Sequence, residues 1–137
     1  MYHVLDHTAD LAIEVTADTR ADLYCEAAAA LVDIVLGPLK NSVPAAEKTE
    51  LQVEGLDAAD LLVNWLREIL ALINVEGRVP FGITITRAAE TSLTAELKLI
   101  PLDKAGDMQS EVKAVTYHQV SVEQSGDIWR ARVVFDT

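Results

Sequence analysis

The second half of the chain carries four short runs that alternate apolar and polar residues, and no other feature restricts the fold as much. Phe81, Ile83 and Ile85 form one run, and Leu93, Ala95, Leu97 and Leu99 another. The segments 113–122 and 128–135 follow, with Gln124-Ser125-Gly126-Asp127 between them as a hairpin turn. Alternation of this kind places every second side chain on a buried face. Strands this close in sequence pair mainly antiparallel, because a parallel pair needs a crossover of about a dozen residues or more.

The first half mixes both periods. Leu11, Ile13 and Val15 alternate with Ala12, Glu14 and Thr16 as a half-buried strand, and a further strand over residues 2–6 precedes it. Thr19, with Asp22 three residues on, predicts a capped helix. Leu23, Ala27, Leu31 and Ile34 then recur at helical spacing, as do Cys25, Ala29, Val32 and Leu36, until Gly37-Pro38 stops them. Residues 39–47 read as a loop. Leu51 and Val53 mark another strand, broken by Gly55. Asp57 predicts the cap of a second helix over 58–74, whose stripe is Leu61, Leu62, Trp65, Leu66, Ile69, Leu72 and Ile73, with Gly77 ending it. The expected fold is α+β: a mainly antiparallel or mixed sheet of about seven strands, with two helices packed on it. At 137 residues and 14.9 kDa, residues 1–137 are expected to form one domain.

Composition removes several classes of function. Half of the residues are apolar, which argues against disorder. The apolar segments are short and interrupted by charge, so no membrane span is expected. The opening Met1-Tyr2-His3-Val4-Leu5-Asp6 lacks the basic-then-apolar layout of a signal peptide. The single cysteine, Cys25, falls in an Ala-rich helical pattern and reads as a buried structural thiol. A reduced, cytoplasmic protein is the expectation. The net charge of −11 argues against direct binding to nucleic acid, which depends on Lys and Arg neutralising phosphates.

Polar clusters stand at opposite ends of the chain, each beside strongly apolar sequence. One is Asp6-His7-Thr8-Ala9-Asp10; the other is 111–118 together with Asp136 and the terminal residue Thr137. If the ends meet, two aspartates and a chain terminus form an oxygen-only donor set. That set suits calcium, magnesium or manganese and would not select zinc. Each member also has a plainer reading. Asp and Thr are ordinary turn residues, an acid after a buried strand marks where solvent begins, and a lone Lys113 is usually solvated. Strict alternation puts His118 on the mostly apolar face with Ala114, Thr116 and Val120, as a hydrogen-bonded core histidine. The chain has no GxGxxG, GxxxxGK, GxSxG, HExxH or CxxC motif. A polar, metal-capable site without a nucleophile or nucleotide cradle fits a helper in another protein's chemistry.

Four segments in order give the sequence a resemblance to the archease family over nearly its whole length. They are residues 6–13 (DHTADLAI), 61–70 (LLVNWLREIL), 112–118 (VKAVTYH) and 129–136 (WRARVVFD). The resemblance implies a small acidic protein that is not itself an enzyme but activates an RNA-splicing ligase of the RtcB type. That ligase joins RNA ends bearing a 2′,3′-cyclic phosphate or 3′-phosphate to a 5′-hydroxyl, using GTP and manganese. The activator promotes guanylylation of the ligase histidine and restores multiple turnover, and it meets RNA only through the ligase. Carried onto this chain, the resemblance implies a divalent-metal site of Asp10, Asp136 and Thr137. It also implies a required Lys113, which we expect to contact the partner's site, with Asp6 orienting the metal site and His7 a supporting motif position of no defined role. Two departures stand out: Ala17-Asp18 where relatives usually carry a glycine, and a 99–107 segment lacking the family's common Gly-Glu pair. The rival readings are a free-standing metal-dependent phosphoester hydrolase and an acidic chaperone or binding module.

Overall fold

The structure is a computed structural model that describes residues 1–5, 10–38 and 47–137. In chain order its elements are β1 (Tyr2–Leu5), β2 (Asp10–Ala17), α1 (Arg20–Leu36), β3 (Glu47–Glu54), α2 (Ala58–Asn74), β4 (Arg78–Ala88), β5 (Ser92–Pro101), α3 (Leu102–Ala105), β6 (Ala114–Ser125) and β7 (Ile128–Asp136). Both long helices begin where their caps predict. Thr19 Oγ1 accepts the Asp22 amide at 3.1 Å, and Asp57 Oδ1 accepts the Asp60 amide at 2.8 Å. Gly55 ends β3 because the chain there runs against α2: a Cβ at this position would overlap the Leu61 amide. The expected loop at 39–47 lies outside the described residues, apart from Glu47, which opens β3.

The seven strands form two sheets rather than one, in the orders β1-β2-β7-β6 and β3-β5-β4, and every pairing between them is antiparallel. Local alternation says which face of a strand is buried, not which strand it pairs with, so the division was not readable. The helices join the two sheets. α1 packs on β4 of one sheet and on β1, β2 and β7 of the other; α2 packs on β3 and β4 and on β6. A helix serving both sheets needs a broad apolar surface. Accordingly Val63 and Leu70 are buried along with the expected stripe of α2, whereas Leu72 is only half-buried. A single buried cluster runs through both helices and both sheets. Cys25 is half-buried rather than fully buried as the helical pattern predicts, with its Sγ 3.5 Å from the Ile83 carbonyl oxygen, and burial pushes its thiol pKa up.

The 99–107 segment includes the short α3, which alternation did not predict. The connection beyond it is tied to the end of α1: the amides of Gln109 and Ser110 both donate to the Val35 carbonyl, at 2.7 and 3.3 Å. It thus leads the chain back to the β2–β7 pair.

Candidate functional site

β2 is the first long strand and β7 the last, and their register sets Asp10 directly opposite Asp136. On the other side of β7, Ala114 is the partner of Asp136, and the Lys113 amide donates to the Asp136 carbonyl oxygen at 2.7 Å. Three neighbouring strands therefore bring Asp10, Asp136 and Lys113 to one end of the sheet, with Thr137 beside them. Asp10 is half-buried; Asp136, Thr137 and Lys113 are exposed. Asp6 and His7 lie outside the described residues.

Carboxylates directly opposite on paired strands repel, and a cation between them reverses the sign. Oxygen-only donors at such a place fit a hard divalent ion. Among the described residues no group of three or more His, Cys, Asp and Glu side chains gathers at one point. Thr137 follows Asp136 directly and stands exposed beside the two aspartates.

His118 is not the core residue that alternation predicts; it is exposed. The reason is a bulge. Thr116 pairs with Val134 and Ser121 with Arg132, so residues 117–120 of β6 all face the single residue Val133 of β7. The odd number of extra residues inverts the alternation, and Val115 before the bulge and Val122 after it both point inward. Gln119, at φ 54°, takes the turn and accepts from Arg132 Nη2 at 2.9 Å.

Polar side chains of α2, beside its apolar stripe, hold this part of β6. Tyr117 O–H donates to Asp60 Oδ1 at 2.8 Å, and the Arg67 guanidinium lies 4.7 Å from the Tyr117 ring centroid. Arg67 Nε donates to the Val115 carbonyl at 3.2 Å, and Asn74 Nδ2 to the Val112 carbonyl at 3.0 Å. A signal was present: Asp60, Asn64, Arg67 and Asn74 recur at helical spacing as a polar line beside the apolar stripe. The Leu56 amide, and then the Tyr117 hydroxyl, hold the Asp60 carboxyl below its ordinary 3.8, while the Asp60 carboxylate raises the Tyr117 pKa. A lowered folded pKa means that the Asp60 contribution to stability is present above 3.8 and is lost as pH falls through the folded value. Tyr117→Phe should therefore move the Asp60 titration part of the way back toward 3.8, the Leu56 amide retaining the rest. Carboxyl NMR reads this directly, and an unmoved Asp60 would show that the tyrosine contact is idle.

The sequence model of the archease protein family (MTH1598/TM1083) matches residues 2–137. The chain belongs to the archease family. An archease of Methanosarcina barkeri is 34% identical over 140 residues, covering 98% of this chain and 94% of that protein. An archease of Methanopyrus kandleri is 35% identical over 136 residues, covering 96% of each. Among solved structures, an archease of Thermotoga maritima, described as a possible chaperone, superposes with a TM-score of 0.68 at 26% identity, over 97% of this chain and 94% of that one. Protein 1598 of Methanobacterium thermoautotrophicum gives 0.77 at 23% identity, over 99% and 98%, and supports the fold alone. Seven strands in antiparallel sheets with two long helices are thus the archease fold, and the family name describes no catalyst. No described helix is long and apolar enough to cross a membrane.

Proposed function

We propose that this chain is a cytoplasmic protein cofactor of an RtcB-type RNA-splicing ligase. It promotes GTP-dependent guanylylation of the ligase, and hence repeated turnover, through an acidic tip that holds a divalent ion: calcium, or magnesium or manganese in function. The observation that carries this reading is the register placing Asp10 against Asp136 beside Lys113. Asp10, Asp136 and the Thr137 carboxylate would hold the ion. Bound there, it would supply positive charge near a phosphate on which negative charge develops during nucleotidyl transfer. The chain's own part is to enter the ligase cleft with the strand ends leading. Lys113, exposed beside the acids, contacts a phosphate or a ligase carboxylate. With a net charge of −11 the chain approaches RNA only through the ligase.

The test is a reconstituted ligation with and without this protein under limiting GTP. Faster ligase guanylylation and many products per ligase are expected; equal yields in the two arms would refute the proposal. Phosphoester turnover without ligase would favour the hydrolase, and capture of unrelated unfolded proteins would favour a chaperone, the description carried by the Thermotoga relative.

A further inference from the structure

Lys113 immediately precedes β6 and is anchored by more than that strand. β6 is the last strand in the order β1-β2-β7-β6, so β7 lies along one of its edges and, among the described residues, no strand pairs with the other. Carbonyls on an unpaired edge need donors from elsewhere. α2 packs against β6, and two of its side chains supply such donors: Arg67 Nε to Val115 in the strand and Asn74 Nδ2 to Val112 in the segment leading into it. The spacings match. Seven helical residues rise roughly 10.5 Å at 1.5 Å each, and three strand residues span about 10 Å. Donors two helical turns apart on α2 thus reach the carbonyls on either side of Lys113-Ala114.

We propose that Arg67 and Asn74 are positioning residues that fix the root of Lys113, a claim that rests on the functional reading of Lys113 above. The Lys113 amide is held from the opposite side by the Asp136 carbonyl at 2.7 Å. Its peptide is therefore pinned between α2 and β7 while the exposed ammonium has no hydrogen bond or ion pair among the described residues. A four-carbon stem on a loose strand end would sweep a wide volume; on a pinned one it samples a small volume beside Asp136. Arg67 is itself steadied, since its guanidinium stacks on Tyr117, whose hydroxyl is bound by Asp60. Substitution on α2, away from the strand ends, should consequently change what Lys113 does without altering the acids.

Two readings decide this on Arg67→Met and Asn74→Ala, each first shown to be folded. Hydrogen exchange at the Lys113 amide should quicken about tenfold, with α1 amides unchanged. The maximal rate of ligase guanylylation should fall about fivefold while the half-saturating concentration stays within about twofold, the pattern of lost positioning rather than lost docking. Arg67→Lys restores a donor toward Val115 and should recover most of the rate. If Arg67→Met does not fold, Asn74→Ala decides alone by the same two readings. Wild-type exchange and stimulation in the folded variants would overturn the proposal. Full stimulation by Lys113→Ala would instead overturn the functional reading and the positioning role with it. Stimulation lost in Lys113→Ala but intact in the α2 variants would overturn the positioning role alone.

Discussion

Trp65→Ala is expected to lower stability by about 3–5 kcal/mol, the usual range for removing a fully buried large aromatic side chain. Trp65 is 0% exposed and lies mid-way along α2, the helix that packs on both sheets. Its indole Nε1 donates to the Tyr24 carbonyl at 2.9 Å, and the Tyr24 hydroxyl in turn donates to the Ala58 carbonyl at 3.3 Å. The two long helices are thus tied in both directions. Burial pushes the Tyr24 hydroxyl up to about 12, so it remains protonated and donating at any pH where the protein is used. Against a total of about 5–15 kcal/mol for a domain of this kind, the loss would leave a marginal fold. Trp65→Phe keeps most of the volume and removes the N–H donor, so it should cost only about 1 kcal/mol. Urea unfolding followed by far-ultraviolet circular dichroism measures both. Equal effects would mean that the hydrogen bond, rather than the packing, holds the helices together.

The same helix shows how much the sequence discloses. Its cap and its stripe are both local, three and four residues apart, and the predicted span 58–74 is the observed one. The parity of β6 was not legible, because 113–122 alternates without the Gly or Pro that would announce a bulge. Gln119 takes its positive φ against its own preference. The expulsion of His118 into solvent follows from tertiary demands that no local pattern encodes. The meeting of Asp10 with Asp136 was legible only indirectly, through unexplained acids beside two apolar strands. Arg67 and Asn74 could have been noticed as a polar line, but nothing in the sequence said which strand that line would face.

Asp10→Asn and Asp136→Asn separate a metal site from a solvated sheet end. Like charges also face each other elsewhere: Lys48 pairs with Lys98, and Glu50 with Glu96, across β3 and β5. Those pairs alternate in sign along the strands, so each charge has an opposite one on the diagonal, within reach of a long side chain. Two residues along from Asp10 and Asp136 stand Ala12 and Val134, which carry no charge. Among the described residues the acid pair therefore has no such compensation on its own two strands. Without a divalent ion, either Asn variant should be as stable as the wild type or more so by a few tenths of a kcal/mol. With calcium or manganese at about a hundred times its dissociation constant, the wild type should gain about 2.7 kcal/mol and the variants far less, reversing the order of their melting temperatures. On the ligase, Asp10→Ala, Asp136→Ala and Lys113→Ala should each cut the stimulated guanylylation rate by about tenfold or more. A reversal on adding metal together with lost stimulation would mean that these acids are held together for the ion. An unchanged order with full stimulation by all three alanine variants would mean that the strand ends meet for the fold's sake alone.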